Sequence, residues 1–271
     1  MSDHVSDDVS DDVRWLAEYV EDENVAFRIG RVGDRLVAEW MGLARLVARR
    51  DGSESELVVA PGADPDDVEK IRRGGARLLL RHLEGKLAIH GAVVAKGDRA
   101  VLLLGRSGQG KSTLAAKACL RAGMVLLADD AVVVEREDAS WIVLPSEKNH
   151  WLDDASRRAL GLAPVTEGKA PTPAPRTSEK GARLAAILEL AWAETDAPRI
   201  AAMPGAVASM AALVPQVVRF VLDEPEMQRR ELEVLADLVA TVPVLRLDRA
   251  KRFDALDRTV DLVEGVLDSA T

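Results

Sequence analysis

The sequence predicts an α/β fold organised around a strand–loop–helix unit, with a small β-rich region ahead of it. Three observations carry that reading. The apolar run Val101-Leu102-Leu103-Leu104 stops at Gly105, and Lys111-Ser112-Thr113 then lead into the helix-forming stretch Leu114-Ala115-Ala116-Lys117-Ala118. Downstream, apolar strand-like runs alternate with segments of helical period as far as Leu267, the pattern of strands covered by helices. Upstream, between Val25 and Ala60, the period shortens to that of strands, and Gly30, Gly33-Asp34, Gly42 and Asp51-Gly52 punctuate it.

Taken in order, the chain starts with a short acidic duplication, Val5-Ser6-Asp7-Asp8 and Val9-Ser10-Asp11-Asp12, too brief to be an architectural repeat. From Val13 to Val20 the apolar residues Val13, Trp15, Leu16, Tyr19 and Val20 fall at helical spacing, which predicts a short helix. Val25 to Ile29, Leu36 to Trp40, Ala44 to Ala48 and Glu56 to Val59 read as short antiparallel strands joined by turns. In "PGADPDDVEKI" Asp64 can cap a helix, Pro65 can take its first position and Asp66, Asp67 and Glu69 favour its first turn, so a helix is expected to about His82. Residues 1–84 thus form an N-terminal region of acidic tail, short helix, small β-rich unit and linking helix; residues 85–271 form the second region.

In that second region Leu87 to Ala95 and Ala100 to Leu104 are strand-like around the turn Gly97-Asp98. A helix is expected over 112–122, ended by Gly123, followed by "MVLLADDAVVVERED", an apolar strand interrupted by two carboxylates. After Trp141 to Leu144 the pattern becomes irregular. The segment from Ala163 to Gly181 holds four prolines and reads as a mobile loop, with Lys169, Arg176 and Lys180 making it basic enough to approach phosphates. Leu184 to Trp192 is a further central strand, Val207 to Phe220 and Met227 to Ala240 are helical, Val242 to Leu247 is a strand, and Phe253 to Leu267 is an amphipathic helix.

Composition narrows the function classes. With 48% hydrophobic and 30% charged residues over 271 positions, the chain reads as soluble and globular. Its longest apolar runs, such as Ile200 to Val214, are interrupted by Pro204, Gly205 and Ser209 and fall short of a membrane span. The acidic start lacks the basic and apolar pattern of a signal peptide, so none is expected. A formal charge of −9 argues against a general nucleic-acid binder, and Arg249-Ala250-Lys251-Arg252 reads as a solvated helix end. The single cysteine, Cys119, falls at an apolar helical position, which suits a small core residue in a reducing cytoplasm.

Gly105, four residues, Gly110-Lys111-Ser112 fills every position of the phosphate-binding pattern G-x4-G-K-[ST]. A polyphosphate needs several donors at once, so the chain must curl until successive backbone N–H groups point inward, which glycines permit. Gly105, Ser107, Gly108, Gln109, Gly110, Lys111, Ser112 and Thr113 are therefore the candidate nucleotide contacts, and the helix that follows adds its N-terminal partial positive charge. Lys111 would reach the β and γ phosphates and the Ser112 hydroxyl would join the shell of a Mg²⁺ ion.

Asp129 and Asp130 end the apolar run Val125-Leu126-Leu127-Ala128, and acids at the carboxyl edge of such a strand sit where ligands of open α/β sheets bind. One of the two can hold Mg²⁺ while the other takes the proton from an attacking hydroxyl. His90, in an apolar strand before Gly91, reads on composition alone as a packed, hydrogen-bonded residue. Nothing in the spacing of His150 discriminates between substrate contact and structure, and His4 and His82 read as surface residues.

With those residues assembled, the chain resembles the kinase domain of HPr kinase/phosphorylase and the wider group of HPr-kinase-like serine kinases. "IHGAVV" at 89–94, "GRSGQGKST" at 105–113 and "RAGMVLLADDAVVV" at 121–134, in that order, carry the resemblance over about fifty residues. It implies a phosphate-loop kinase core related to phosphoenolpyruvate carboxykinase, and transfer of a phosphoryl group from ATP, or in some members pyrophosphate, to a serine hydroxyl of a protein or peptide. It further implies that Lys111 and Ser112 bind the phosphates and Mg²⁺, that Asp129 accepts the proton, that Asp130 is a metal ligand and that His90 lies beside the reacting phosphate. Two departures argue against reverse phosphorolysis: Thr113 stands where the bifunctional enzymes have glutamate, and their later glutamate- and arginine-containing signature has no counterpart after Asp130. Hexamers are common among those enzymes, so a homo-oligomer is compatible with the resemblance. The N-terminal portion looks more like the compact kinases of peptide-modification clusters, including those acting on lasso-peptide precursors, and no substrate is carried over from them.

The expectation is an ATP- and Mg²⁺-dependent serine kinase acting on a protein or peptide, in the cytoplasm, with neither nucleic acid nor membrane as partner. Two alternatives stand beside it: a small-molecule kinase, because the phosphate site is indifferent to which hydroxyl attacks, and a non-catalytic nucleotide-binding switch. Against the switch, the sequence holds no N-K-x-D or L-S-G-G-Q motif, and a carboxylate pair is more than a passive binder needs.

Overall fold

The computed structural model describes residues 13–21, 23–121, 123–166, 168–220 and 225–269, forming two compact units. The acidic duplication and His4 lie outside the described residues.

The first unit comprises the chain up to Lys86 together with Arg219–Glu231. Its strands β1 (Arg14–Glu21), β2 (Asn24–Val32), β3 (Arg35–Trp40), β4 (Ala44–Arg49) and β5 (Ser55–Val59) form an antiparallel meander in sequence order. Helix α1 (Pro65–Ile71) starts at Asp64, whose carboxylate accepts the Asp66 N–H at 2.8 Å, and continues through a π turn (Arg72–Ala76) into α2 (Arg77–Leu83). The turn coincides with Gly75, where an added Cβ would lie 2.8 Å from the Trp40 ring, so the wider helix and the missing side chain make room for the indole. Ile29, Leu36 and Leu46 of the sheet pack against Ile71, Leu79 and Leu83 of the helices, each such burial contributing about 1.5–3 kcal/mol.

The helix expected over Val13 to Val20 is strand β1. Its pairing with β2 carries bulges between Trp15 and Ala17 and between Tyr19 and Val20. The first bulge inserts Leu16 into β1 and the second inserts Ala26 into β2; the extra residue in β1 breaks its two-residue alternation, and the resulting spacing of apolar side chains imitates a helical period. Gly30 opposite Trp15 permits the close pairing, since a Cβ there would sit 2.7 Å from the Arg14 carbonyl oxygen.

The second unit comprises Leu87–Val218 and Leu232–Thr271. Along the chain come β6 (Leu87–Lys96), β7 (Arg99–Leu104), α3 (Lys111–Leu120), β8 (Met124–Glu137), β9 (Ser140–Leu144), β10 (Asn149–Asp153) and α4 (Asp154–Ala159). Next are β11 (Lys169–Pro173), β12 (Ala182–Trp192), β13 (Arg199–Ala202), α5 (Gly205–Leu213), α6 (Pro225–Thr241, which belongs to this unit from Leu232 onward), β14 (Val244–Arg249) and α7 (Leu256–Ser269). The main sheet is mixed, in the order β13-β14-β12-β7-β6-β8-β9, with β12 parallel to both β7 and β14 and β6 antiparallel to both β7 and β8. Val93, Leu102 and Leu104 pack on one face with Leu213 of α5 and Leu235 and Leu238 of α6. Val94, Leu103 and Leu188 pack on the other with Leu114 and Ala118 of α3 and Val260 and Val263 of α7. Cover on both faces is why these strands read as continuous apolar runs. Among the described residues, no helix is long and apolar enough to cross a membrane.

Three expectations for this region are corrected. Asp129 and Asp130 do not end a strand; β8 runs through them to Glu137, with Asp129 opposite Ala92 and Asp130 opposite Gly91 on β6. The predicted Val207–Phe220 helix stops at Leu213 and becomes a 3-10 turn over Val214–Gln216, because Pro215 lacks the N–H a continuing helix needs. The Ala163–Gly181 segment contains β11, paired antiparallel with β10 as a two-stranded ribbon. Pro171 and Pro173 alternate along β11, opposite Trp151 and Asn149, and a strand paired along one edge tolerates prolines at positions whose N–H would point away. Beyond the ribbon, Ala174 donates its N–H to the Lys148 carbonyl at 2.9 Å, and Leu126 donates to the Arg176 carbonyl at 3.1 Å.

Candidate active site

The site forms where β7 ends and the chain turns through residues 105–110 into α3. Gly108 and Gly110 adopt left-handed backbone at φ 78° and 73°, and Gly110 caps a helix whose first residues are Lys111 and Ser112. That conformation favours glycine because other residues meet Cβ clashes there. The loop, with Lys111, Ser112 and Thr113, lines a cavity of about 510 Å³. The Lys111 ammonium donates to the Gly105 carbonyl at 2.7 Å, and burial, followed by the charge of Lys169, holds its pKa below the ordinary value. Thr113 and Ser156 share a buried hydrogen bond of 2.8 Å between their hydroxyls, tying α3 to α4.

Neighbouring β8 supplies both acids to the same cavity. Regular alternation would send adjacent side chains to opposite faces, but Asp130 has φ 80°, and this left-handed step in mid-strand interrupts the alternation. Asp129 is 3% exposed; its Oδ1 accepts the Ser112 hydroxyl at 2.9 Å and its Oδ2 accepts the Trp151 N–H at 3.1 Å. Burial pushes its pKa up to about 6, against the lowering effect of those two hydrogen bonds. The Asp130 side chain meets that of His90, whose Nδ1 lies 3.1 Å from Oδ1, and the hydrogen bond to His90 is the first cause of a lowered Asp130 pKa. His150 is 1% exposed, with Nδ1 3.8 Å from Asp129 Oδ2; neither ring nitrogen has a hydrogen-bond partner among the described residues, and burial lowers its pKa to about 4.

The structure therefore brings His90, Ser107, Gly108, Gly110, Lys111, Ser112, Thr113, Asp129 and Asp130 to one cavity, although they lie on three separate stretches of sequence. Gly105 and Gln109 do not line it; they face a separate cavity of about 410 Å³ on the other side of the loop, with Glu189 and Arg246. Among the described residues, no three His, Cys, Asp or Glu side chains form a metal-binding group.

No family model matches this chain, and no curated protein matches it. Among solved structures, the HPr(Ser) kinase/phosphatase from Coxiella burnetii aligns with 67% of this chain and 97% of its own length, at 12% identity and a TM-score of 0.33.

The sequence reading missed the other wall of the cavity. Arg249, read as part of a solvated helix end, is 3% exposed, donates to the Gln109 carbonyl and lies with its guanidinium carbon 4.2 Å from the centroid of the Trp192 ring. Burial lowers its pKa to about 10, so the buried group remains a cation at neutral pH. Trp192 and Arg249 are the last residues of β12 and β14, parallel strands whose carboxyl ends converge beside the loop. The rule that ligands bind at such ends could have found both residues from their strand positions. Trp151, Ser156 and Lys169 reach the cavity through β10, α4 and β11, all in the stretch read as irregular.

Proposed function

We propose that the chain is a Mg²⁺- and ATP-dependent kinase that transfers a phosphoryl group to a serine hydroxyl of a protein or peptide, on a phosphate-loop kinase core of the HPr kinase/phosphoenolpyruvate carboxykinase type. The observation that carries the proposal is the convergence of a glycine-turned loop, the first residues of α3 and a buried carboxylate on one cavity. The loop offers backbone N–H groups and the helix its positive end, an environment suited to a polyphosphate. Lys111 adds a partly desolvated cation, and Ser107, Gly108, Gly110 and Thr113 line the same wall.

Oxygen donors suit a hard cation, and this site presents the Ser112 hydroxyl and the Asp130 carboxylate, with further coordination positions for water and phosphate oxygens. When bound, Mg²⁺ would neutralise the negative charge that the departing diphosphate takes up as the bond between the γ phosphorus and the bridging oxygen breaks. Asp129, held by Ser112 and the Trp151 N–H, is fixed in orientation and takes the proton of the acceptor hydroxyl. His90 sits against Asp130 at the cavity wall, and in this reading it would donate to a phosphate oxygen.

Incubating the purified protein with ATP, Mg²⁺ and serine-bearing peptides and proteins, and following phosphoserine by mass spectrometry, tests the proposal. Phosphoserine formed by the wild type and absent with Asp129→Asn supports it. ATP binding without phosphotransfer to any acceptor would favour a nucleotide-binding switch.

A further inference from the structure

The cavity has two chemically different walls, and the strand order explains why. The loop leaves the end of β7. On one side of β7 lie β6 and β8, which carry His90, Asp129 and Asp130; on the other lie β12 and β14, which carry Trp192 and Arg249. The acids and the histidine therefore occupy one flank of the loop, with Trp151 and Lys169 of the β10–β11 ribbon beside them, and the other flank is aromatic and cationic with no acid among its lining residues. The turn after β14 extends that second flank with Arg252, Phe253 and Leu256.

Two features of the aromatic flank point to a planar ligand. Phe253 leaves 47% of its surface exposed while lining the cavity, an unusual position for an apolar ring. Trp192 begins this surface at the loop itself, because a Cβ built on Gly110 would lie 3.6 Å from the edge of its ring. A group continuing from phosphates held by the loop, away from the acids, meets rings on this flank. A nucleobase has the flat π-face that stacks on such rings. The cations Lys251 and Arg252 line the same flank and can donate to the ring-nitrogen and carbonyl acceptors of a base.

We infer that the Trp192–Phe253 flank is the nucleobase subsite, so that the donor lies across the loop with its base beside Phe253 and its terminal phosphate beside Asp129 and Asp130. This rests on the kinase reading above and deepens it: the donor is a nucleoside triphosphate and not pyrophosphate.

Calorimetry with ATP and with inorganic tripolyphosphate, on the wild type, Phe253→Ala and Phe253→Trp, tests the inference. Phe253 is exposed, so neither variant threatens the core. Loss of base stacking should weaken ATP binding by about five- to a hundredfold in Phe253→Ala. Tripolyphosphate affinity should stay within about twofold, and Phe253→Trp should retain ATP affinity because it retains an aromatic face. Equal effects of Phe253→Ala on the two ligands, or an unchanged ATP affinity, would overturn the subsite. A wild type that binds tripolyphosphate as tightly as ATP would overturn it while leaving the phosphate loop standing. A wild type that binds neither would remove the kinase reading and the subsite with it.

Discussion

Ser112 donates its hydroxyl to Asp129 across 2.9 Å, joining the first turn of α3 to the middle of β8. Residues 17 positions apart in sequence thereby share one half-buried polar contact at the wall of the cavity. Asn can keep both hydrogen bonds of Asp129: its carbonyl accepts from Trp151, and its NH2 donates to a Ser112 hydroxyl that has rotated. It cannot accept a proton. Asp129→Asn should therefore bind Mg²⁺-ATP within a few-fold of wild type and lose at least about a hundredfold in phosphotransfer. Asp130→Asn should be partly rescued by raised Mg²⁺, whereas Asp129→Asn should not. Turnover across a Mg²⁺ titration separates the two, and near-normal turnover of Asp129→Asn would place the base elsewhere.

The same carboxylate affects stability. Asp129 has a folded pKa of about 6, above its ordinary 3.8, so between those values the folded state holds more protons than the unfolded state and acidification stabilises the fold. His150 acts oppositely: its folded pKa of about 4 lies below 6.5, so over that window the unfolded state holds more protons and acidification destabilises. The two contributions oppose each other in the wild type. Asp129→Asn removes one of them, so in metal-free buffer its unfolding free energy should fall more steeply from pH 6.5 to 4 than that of wild type. Urea melts at several pH values measure it, and parallel curves would contradict the assignment.

Lys111→Met keeps the buried aliphatic stem and removes the charge. ATP affinity should fall by at least about tenfold, the equivalent of one lost charge-assisted hydrogen bond, while the melting temperature changes little. Calorimetry and thermal melts check both halves. Unchanged affinity would remove Lys111 from the proposed phosphate site.

Gly91 lies opposite Asp130, and a Cβ there would sit 2.7 Å from Leu102 Cδ1 and 2.9 Å from the Leu103 carbonyl oxygen. The contact with backbone leaves little room to relax, so Gly91→Ala should cost about 1–3 kcal/mol of stability. Denaturant unfolding tests this.

Cys119 is 1% exposed, and burial pushes its thiol up to about 12. Alkylating reagents should leave it unmodified in the native protein at pH 8 and label it in denaturant, a contrast that mass spectrometry resolves. Rapid native labelling would show that the α3 face opens.

Local chemistry made β7, the glycine loop and α3 legible, because an apolar run, positive-φ glycines and helix-forming residues act over short distances. The meander β2–β5 and the cap at Asp64 were legible for the same reason. Strand β1 was not, because bulges arise from pairing with β2 and the sequence of β1 does not record its partner. The ribbon of β10 and β11 was hidden in the same way: its prolines deny a central strand but not a strand paired along one edge. Sequence by itself determined which residues bear the polar chemistry of loop and acids. Tertiary structure decided how they meet: the left-handed step at Asp130 places both acids on one cavity, and parallel pairing brings the ends of β12 and β14, with Trp192 and Arg249, beside the loop. Burial then raises the pKa of Asp129, since that desolvation exists only after elements distant in sequence have packed around it.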